Sequence, residues 1–91
     1  MVEYTIIQKE IESVTGNTPG QYHSKKFKTP NTMMVALLSA SGYKYWEIGA
    51  IMNYNSPGTI SYHKRSHMKM MSKDKLYNEQ FGRINKNLNL N

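Results

Sequence analysis

The stretch from Ser56 to Arg65 holds residue types that are suited to contact a polyanion. It begins with Ser-Pro-Gly-Thr at positions 56–59, small residues that let a backbone amide or a hydroxyl approach a phosphate or a base edge. The first amides of a helix have no partner within the helix and lie at the positive end of its dipole, so they favour an anion. Tyr62, Lys64 and Arg65 follow within two turns. These residues predict nucleic-acid binding.

Two histidines in the same stretch suggest a metal site or catalysis as alternatives. His63 and His67 are four residues apart, but no Glu lies between them in the metalloprotease arrangement and no third ligand is near in sequence. A Ser/His/Asp set can be drawn from Ser56, His63 and Asp74, yet no nucleophile elbow accompanies it. The chain also contains no cysteine. We therefore expect no catalytic residue, no metal and no cofactor, and a role for both histidines in helix packing or phosphate contact.

Basic residues are concentrated in the middle of the chain. Residues 1–19 have a net charge of −2, whereas residues 20–71 carry seven Lys and Arg against Glu47 alone, a net charge of +6. Residues 72–91 add a net charge of +2. This excess predicts a polyanionic partner, with a basic surface kept for solubility as the alternative.

Length and hydropathy limit the classes of protein that remain. Ninety-one residues suit one small domain, 1–91, and leave little surface for a deep catalytic cleft. No apolar run approaches the roughly 18 residues that span a bilayer, and the first ten residues lack the pattern of a signal peptide. We therefore expect a cytoplasmic protein with no membrane partner.

The spacing of apolar residues predicts an all-α fold, a small bundle of four to five helices, because no strand alternation of any length occurs. The predicted helices cover 2–15, Pro30 to Gly42, Lys44 to Met52, Pro57 to Met71, and a last helix after Ser72. Pro30 and Pro57 suit the first position of a helix, where proline's missing amide would have no partner. Their preceding residues, Thr29 and Ser56, suit the N-cap, and Gly16 suits the C-cap of the first helix.

The last helix is the least regular of the five in its apolar pattern. Its predicted apolar positions are Leu76, Phe81, Ile84 and Leu88, and Ser72 is its predicted cap. The Asn-rich tail, 85–91, is expected to be frayed. This helix could close the core or mediate a homodimer, and the sequence does not separate the two.

Residues 44–71 together predict a helix-turn-helix, a short helix joined to a longer one by a turn of about four residues. In that motif the first turns of the second helix face the bases in the major groove. A helical hairpin that serves packing alone is the alternative. The second helix has two stripes, an outer one of Thr59, Tyr62 and Ser66, and a core one of Ile60, His63, His67 and Met71.

The stretch TPNTMMVALLSASGYKYWEIGAIMNYNSPGTISYHKRSH, residues 29–67, resembles the C-terminal DNA-binding domain of the bacterial replication initiator DnaA. YWEIG, at 45–49, matches the Ile-Gly step of that family, and NYNSPGTISYH, at 53–63, occupies the place of its recognition segment. The resemblance covers about residues 5–72. It implies a Trp-repressor-like helix-turn-helix fold and binding to double-stranded DNA, with the basic loop HSKKFK, at 23–28, in the minor groove.

The recognition segment departs from the family. Residues 55–58, Asn-Ser-Pro-Gly, replace Arg-Asp-His-Thr, and Tyr62 stands where the family has its His. The carboxylate and imidazole that read the usual initiator box are therefore not at their places. No Walker-type loop occurs, so we expect no nucleotide partner. The interpretation is a stand-alone relative of one domain, encoded by a phage or a mobile element, that acts in replication initiation or its regulation.

Ten residues are predicted to contact DNA, and they form three groups: a basic loop, a group that faces the major groove and a group that contacts phosphates. The basic loop supplies Lys25, Lys26 and Lys28; the major groove is faced by Ser56, Gly58, Thr59 and Tyr62; and the phosphates are contacted by Lys44, Lys64 and Arg65. The alternative function is a small helical interaction module that binds replication or transcription proteins. The methionines near residue 70 and the seven tyrosines would form its partner surface.

Overall fold

The computed structural model of the protein describes the backbone of residues 2–20 and 25–89, and the side chains of residues 2–20 and 28–89. This part of the chain forms five α-helices and no strand, which confirms the all-α prediction. The helices are α1 (Tyr4–Thr15), α2 (Lys25–Ala40), α3 (Tyr45–Met52), α4 (Pro57–Lys73) and α5 (Lys75–Asn87). None of them is long and apolar enough to cross a membrane.

Helix α2 lies at the centre of the bundle and packs against each of the four other helices. From Asn31 to Val35 every residue of α2 is buried, and Leu37 and Leu38 continue the core. The other helices contribute the remaining buried apolar side chains: Ile7, Ile11, Ile48, Met52, Ile60, Tyr77, Phe81 and Ile84. Helix α2 is therefore the core helix of the bundle.

The predicted start of α2 is wrong. Thr29 and Pro30 were expected at its N-terminus, but the helix begins at Lys25 and contains Pro30. A proline inside a helix forfeits one hydrogen bond to the carbonyl four residues earlier. Pro30 is buried against the bundle, so tertiary packing outweighs that loss. Lys25, Lys26 and Lys28 therefore lie on the first turn of a helix and not in a basic loop, whereas residues 23–24 lie outside the described residues.

The ends of α1, α3 and α4 agree with the sequence. Gly16 adopts a left-handed conformation (φ 79°) after α1, and its amide donates to the carbonyl of Glu12 at 2.8 Å. The short helix α3 ends at Met52, as predicted, and Asn53 follows in the left-handed conformation. Ser56 caps α4 and Pro57 is its first residue.

The start and phase of α5 differ from the prediction. Asp74, not Ser72, caps the helix, because its Oδ1 accepts the amide of Tyr77 at 3.0 Å. Tyr77 is buried, whereas Leu76, predicted as a core position, is 62% exposed. The core face of α5 is formed by residues 77, 81, 84 and 88, whose spacing of three and four residues places them on one side of a helix.

The tail that was predicted to fray, residues 85–91, begins within the last helix. Helix α5 continues to Asn87, whose side-chain amide donates to the Glu10 carboxylate of α1 at 2.6 Å. Leu88 packs against the core. Residues 85–87 thus belong to the last helix, the fraying of the tail stays a prediction, and residues 90–91 lie outside the described residues.

Candidate nucleic-acid interface

The connection between α3 and α4 holds the two helices in close contact. The amide of Tyr54 donates to the carbonyl of Gly49 at 2.8 Å, which turns the chain after α3. A Cβ atom at Gly49 would be in ordinary van der Waals contact, 3.5 Å from the Tyr54 carbonyl oxygen and 3.8 Å from Cδ1 of Ile60, so α3 and α4 are closely packed at this point. Residues 53–56 thus join α3 to α4 within four residues, as predicted.

The first turn of α4 lies at the surface. Ser56 Oγ accepts the amide of Gly58 at 3.2 Å, and the carbonyl of Ser56 accepts the amide of Thr59 at 3.1 Å. Ser56, Pro57 and Gly58 are exposed, and Thr59 is half-buried. The predicted major-groove residues of this turn are therefore brought together at an accessible helix N-terminus.

A buried hydrogen-bonded cluster fixes the rotation of α4 about its own axis. His63 is 7% exposed, and its Nδ1 lies 2.8 Å from Thr32 Oγ1 of α2. Its Nε2 lies 3.2 Å from the hydroxyl of Tyr54, which is stacked on the imidazole. Burial raises the pKa of Tyr54 to about 12, so its hydroxyl stays neutral in this cluster. This confirms the prediction that His63 faces the core.

Tyr62 lies about 100° around α4 from His63, with the two rings in edge-to-face contact at 5.3 Å, and it contacts the first turn of α2. Lys28 Nζ lies 5.2 Å from the centre of the Tyr62 ring, a cation–π contact. Hydrogen bonds from Lys28 and Ser66 lower the pKa of the Tyr62 phenol. Tyr62 is 44% exposed. Two of the predicted contact residues, from separate parts of the chain, are thus adjacent.

The other predicted basic residues are not all on this side. Lys64 is two residues from Tyr62, about 200° around the helix, and lines a separate cavity of about 320 Å³ together with His67 and Phe81. Lys44 precedes α3, where its amide donates to the Glu47 carboxylate at 2.8 Å. It lies at the end of α3 remote from the connection. Lys64 and Lys44 are therefore separated from the Tyr62 side of α4, whereas Arg65 is exposed close to it.

Three lysines that were not predicted as contacts, Lys69, Lys73 and Lys75, line the same groove as Tyr62. An open groove of about 700 Å³ runs from α2 along α4 to the start of α5. We call it the lysine groove; it is lined by Lys28, Tyr62, Ser66, Lys69, Met70, Lys73, Asp74, Lys75 and Leu76. The spacing of residues 62, 66, 69 and 73 would have indicated one helix face, since each step is three or four residues.

The connection itself borders a second, aromatic groove of about 300 Å³. Tyr45 and Trp46 line it, together with Tyr54 and Pro57. Trp46 is 61% exposed, whereas Ile48 and Met52 of the same helix are buried. The α3–α4 unit therefore presents aromatic side chains at its surface beside the first turn of α4.

The environment of His67 makes the stability of the fold pH-dependent. Its Nδ1 lies 2.7 Å from the Tyr77 hydroxyl, and burial lowers the pKa of His67 below the usual 6.5. The unfolded chain therefore takes up a proton on His67 at a higher pH than the folded protein does. The stability that comes from keeping His67 neutral is fully present above pH 6.5. It is lost as the pH falls from 6.5 through the lowered pKa of His67 in the folded protein. We expect the melting temperature to fall over this interval by a smaller amount in His67→Gln, and an equal fall in both proteins would contradict the assignment.

Comparison with protein-family models, with curated proteins and with solved structures finds no match to this chain.

Proposed function

We propose that the protein binds double-stranded DNA in a sequence-specific manner, with α3 and α4 acting as a helix-turn-helix. The observation that carries the proposal is the position of Lys28 against Tyr62. This contact places a cation from α2 beside the exposed side of α4, one turn after its accessible N-terminus. In a helix-turn-helix, these first turns meet the base edges while flanking cations meet the phosphates.

The residues divide into two roles. Ser56, Gly58, Thr59 and Tyr62 face the major groove, where hydroxyls and a backbone amide can hydrogen-bond to base edges. Lys28 and Arg65 contact phosphates beside them. Lys25 and Lys26 lie on the same first turn of α2 as Lys28; their side chains lie outside the described residues, and their contact with the adjacent backbone or minor groove stays a prediction. Lys44 and Lys64 lie away from the Tyr62 side of α4, and their contacts with phosphates stay a prediction.

The biological role follows from the resemblance to the initiator domain. It assigns the DNA binding to replication initiation or its regulation, in a phage or a mobile element. The exposed residues Ser56, Pro57 and Gly58, followed by the half-buried Thr59, would form the first turn of a recognition helix of altered specificity. The DNA site would then differ from the initiator box, because the family's base-reading carboxylate and imidazole are replaced.

A duplex titration at several salt concentrations tests the proposal. If about five phosphates are neutralised, the logarithm of the affinity falls with the logarithm of salt at a slope of about −4 to −5. Random DNA and an initiator-box duplex, titrated side by side, separate the non-specific from the specific part. Binding that does not change with salt would contradict the proposal.

A second candidate function is a helical module that binds replication or transcription proteins. The exposure of Trp46 at 61% and Tyr45 at 60%, in the groove beside Pro57, favours it. Aromatic residues of this kind are enriched at the centres of protein interfaces. Met68, 73% exposed, belongs to the predicted methionine surface. The same titration separates the candidates, since absence of duplex binding at low salt favours the interaction module.

A further inference from the structure

We propose that Lys69, Lys73 and Lys75 form a second phosphate-binding row, which holds the DNA backbone in the lysine groove beyond the reach of the base-reading turn. This inference rests on the proposed function. It assigns the phosphodiester backbone as the ligand of three lysines to which the resemblance gives no DNA contact. The three side chains are exposed, and they share the groove with Lys28 and Tyr62.

The length of α4 places these lysines outside the major groove. Helix α4 has 17 residues, which corresponds to about 25 Å, whereas the major groove is about 12 Å wide. With Thr59 at the base edges, Lys69 lies about 15 Å and Lys73 about 21 Å further along the helix axis. At such distances a helix has left the base edges and meets the phosphates that border the groove.

The lysine groove is continuous with the contacts already assigned. Ser66 lies between Tyr62 and Lys69 on the same side of α4, and all three side chains line the groove. Lys75 extends the row onto α5, immediately after the break at Asp74. The phosphates of one DNA strand can therefore contact lysines of α2, α4 and α5 in succession on this face of the protein.

Asp74 is the acidic side chain among the described residues that line the groove. Its carboxylate caps α5 through the Tyr77 amide, a role that Asn performs about equally well. If phosphates occupy the groove, this carboxylate opposes them. Removing its charge while keeping the cap should therefore strengthen DNA binding, an effect that a loss of structure could not produce.

The first test is the double variant Lys73→Gln/Lys75→Gln, titrated with a random duplex and with the best-bound duplex. We expect the salt slope to become shallower by about 1.8, because each lost phosphate contact removes about 0.9. Affinity for both duplexes should fall equally, by about tenfold at low salt. The matched control is Lys9→Gln/Lys86→Gln, which removes the same charge from exposed positions on α1 and the far end of α5, and should leave the slope unchanged.

The second test is Asp74→Asn, for which we expect duplex affinity to rise about threefold at low salt. Its control is Glu3→Gln, which removes one negative charge at a position remote from the lysine groove. Glu3 follows Val2, whose amide donates to Ser41 Oγ just beyond the C-terminal end of α2. Lys28 lies near the opposite end of that helix. An unchanged slope in the lysine variant, or equal effects in the variants and their controls, would overturn this inference while leaving the proposed function intact. A wild-type protein that binds no duplex would overturn both.

Discussion

Replacing Tyr62 with Glu is expected to weaken duplex binding by about 30-fold at low salt. The substitution puts a carboxylate on the exposed side of α4, where it meets DNA phosphates and pairs with the Lys28 ammonium that would otherwise contact them. Tyr62 is 44% exposed, so the fold tolerates the change. Fluorescence anisotropy with a labelled duplex measures the affinity, and thermal melting verifies that the variant is folded.

Two comparison variants isolate the position from the charge. Tyr4→Glu alters a tyrosine of similar exposure, 41%, on α1, and should weaken binding less than twofold, because a carboxylate there neither pairs with Lys28 nor lies on the proposed DNA-contacting side of α4. Tyr62→Phe keeps the aromatic contact with Lys28 and removes the hydroxyl, so it should change the preference among duplexes more than the salt slope. If Tyr4→Glu and Tyr62→Glu weaken binding equally, α4 does not face DNA.

The substitution His63→Ala is expected to lower the free energy of unfolding by about 3 kcal/mol. It removes a buried ring and leaves two hydroxyls, of Thr32 on α2 and of Tyr54 in the connection, without their imidazole partner. A domain of this size has about 5–15 kcal/mol in total, so the loss should lower the melting temperature by about 15 °C. Urea denaturation followed by circular dichroism measures the effect.

A surface substitution on the same helix provides the comparison. Met68 is 73% exposed, and Met68→Ala should change stability by less than about 0.5 kcal/mol. The variant His63→Gln can still hydrogen-bond to one of the two hydroxyls. Its free energy of unfolding should therefore lie between those of His63→Ala and Met68→Ala. If His63→Ala and Met68→Ala had the same stability, the cluster would not anchor α4 to α2.

The sequence predicted those helices whose ends are set by local chemistry. At the start of α4, Ser56 supplies a side-chain acceptor for a free amide and Pro57 has no amide that needs a partner. At the end of α1, Gly16 adopts the left-handed conformation that terminates a helix. The start of α2 was missed because Thr29-Pro30 gives the same local signal as Ser56-Pro57. Burial of Pro30 in the bundle, which no neighbouring residue reveals, decides the difference.

The candidate interface was predictable in its parts and not in its arrangement. Helical periodicity placed Tyr62 outward and His63 inward on α4, and both positions agree with the structure. Lys64 was included because it is close in sequence, although two residues along a helix amount to about 200° of rotation. The neighbour of Tyr62 is instead Lys28, 34 positions earlier, and such a contact depends on how α2 packs against α4.

The proline within α2 also affects how the lysines before it can move. Pro30 cannot donate to the carbonyl of Lys26, so the segment from Lys25 to Lys28 is joined to the rest of the helix by fewer hydrogen bonds than an interior turn has. This turn can open while the buried part of α2 stays closed, as a local unfolding event of low free energy. Amide hydrogen exchange should therefore be fast before Pro30 and slow from Thr32 onward. A duplex that contacts these lysines would slow amide exchange in the first turn of α2. The affinity for the duplex would then include the entropic cost of keeping that turn helical.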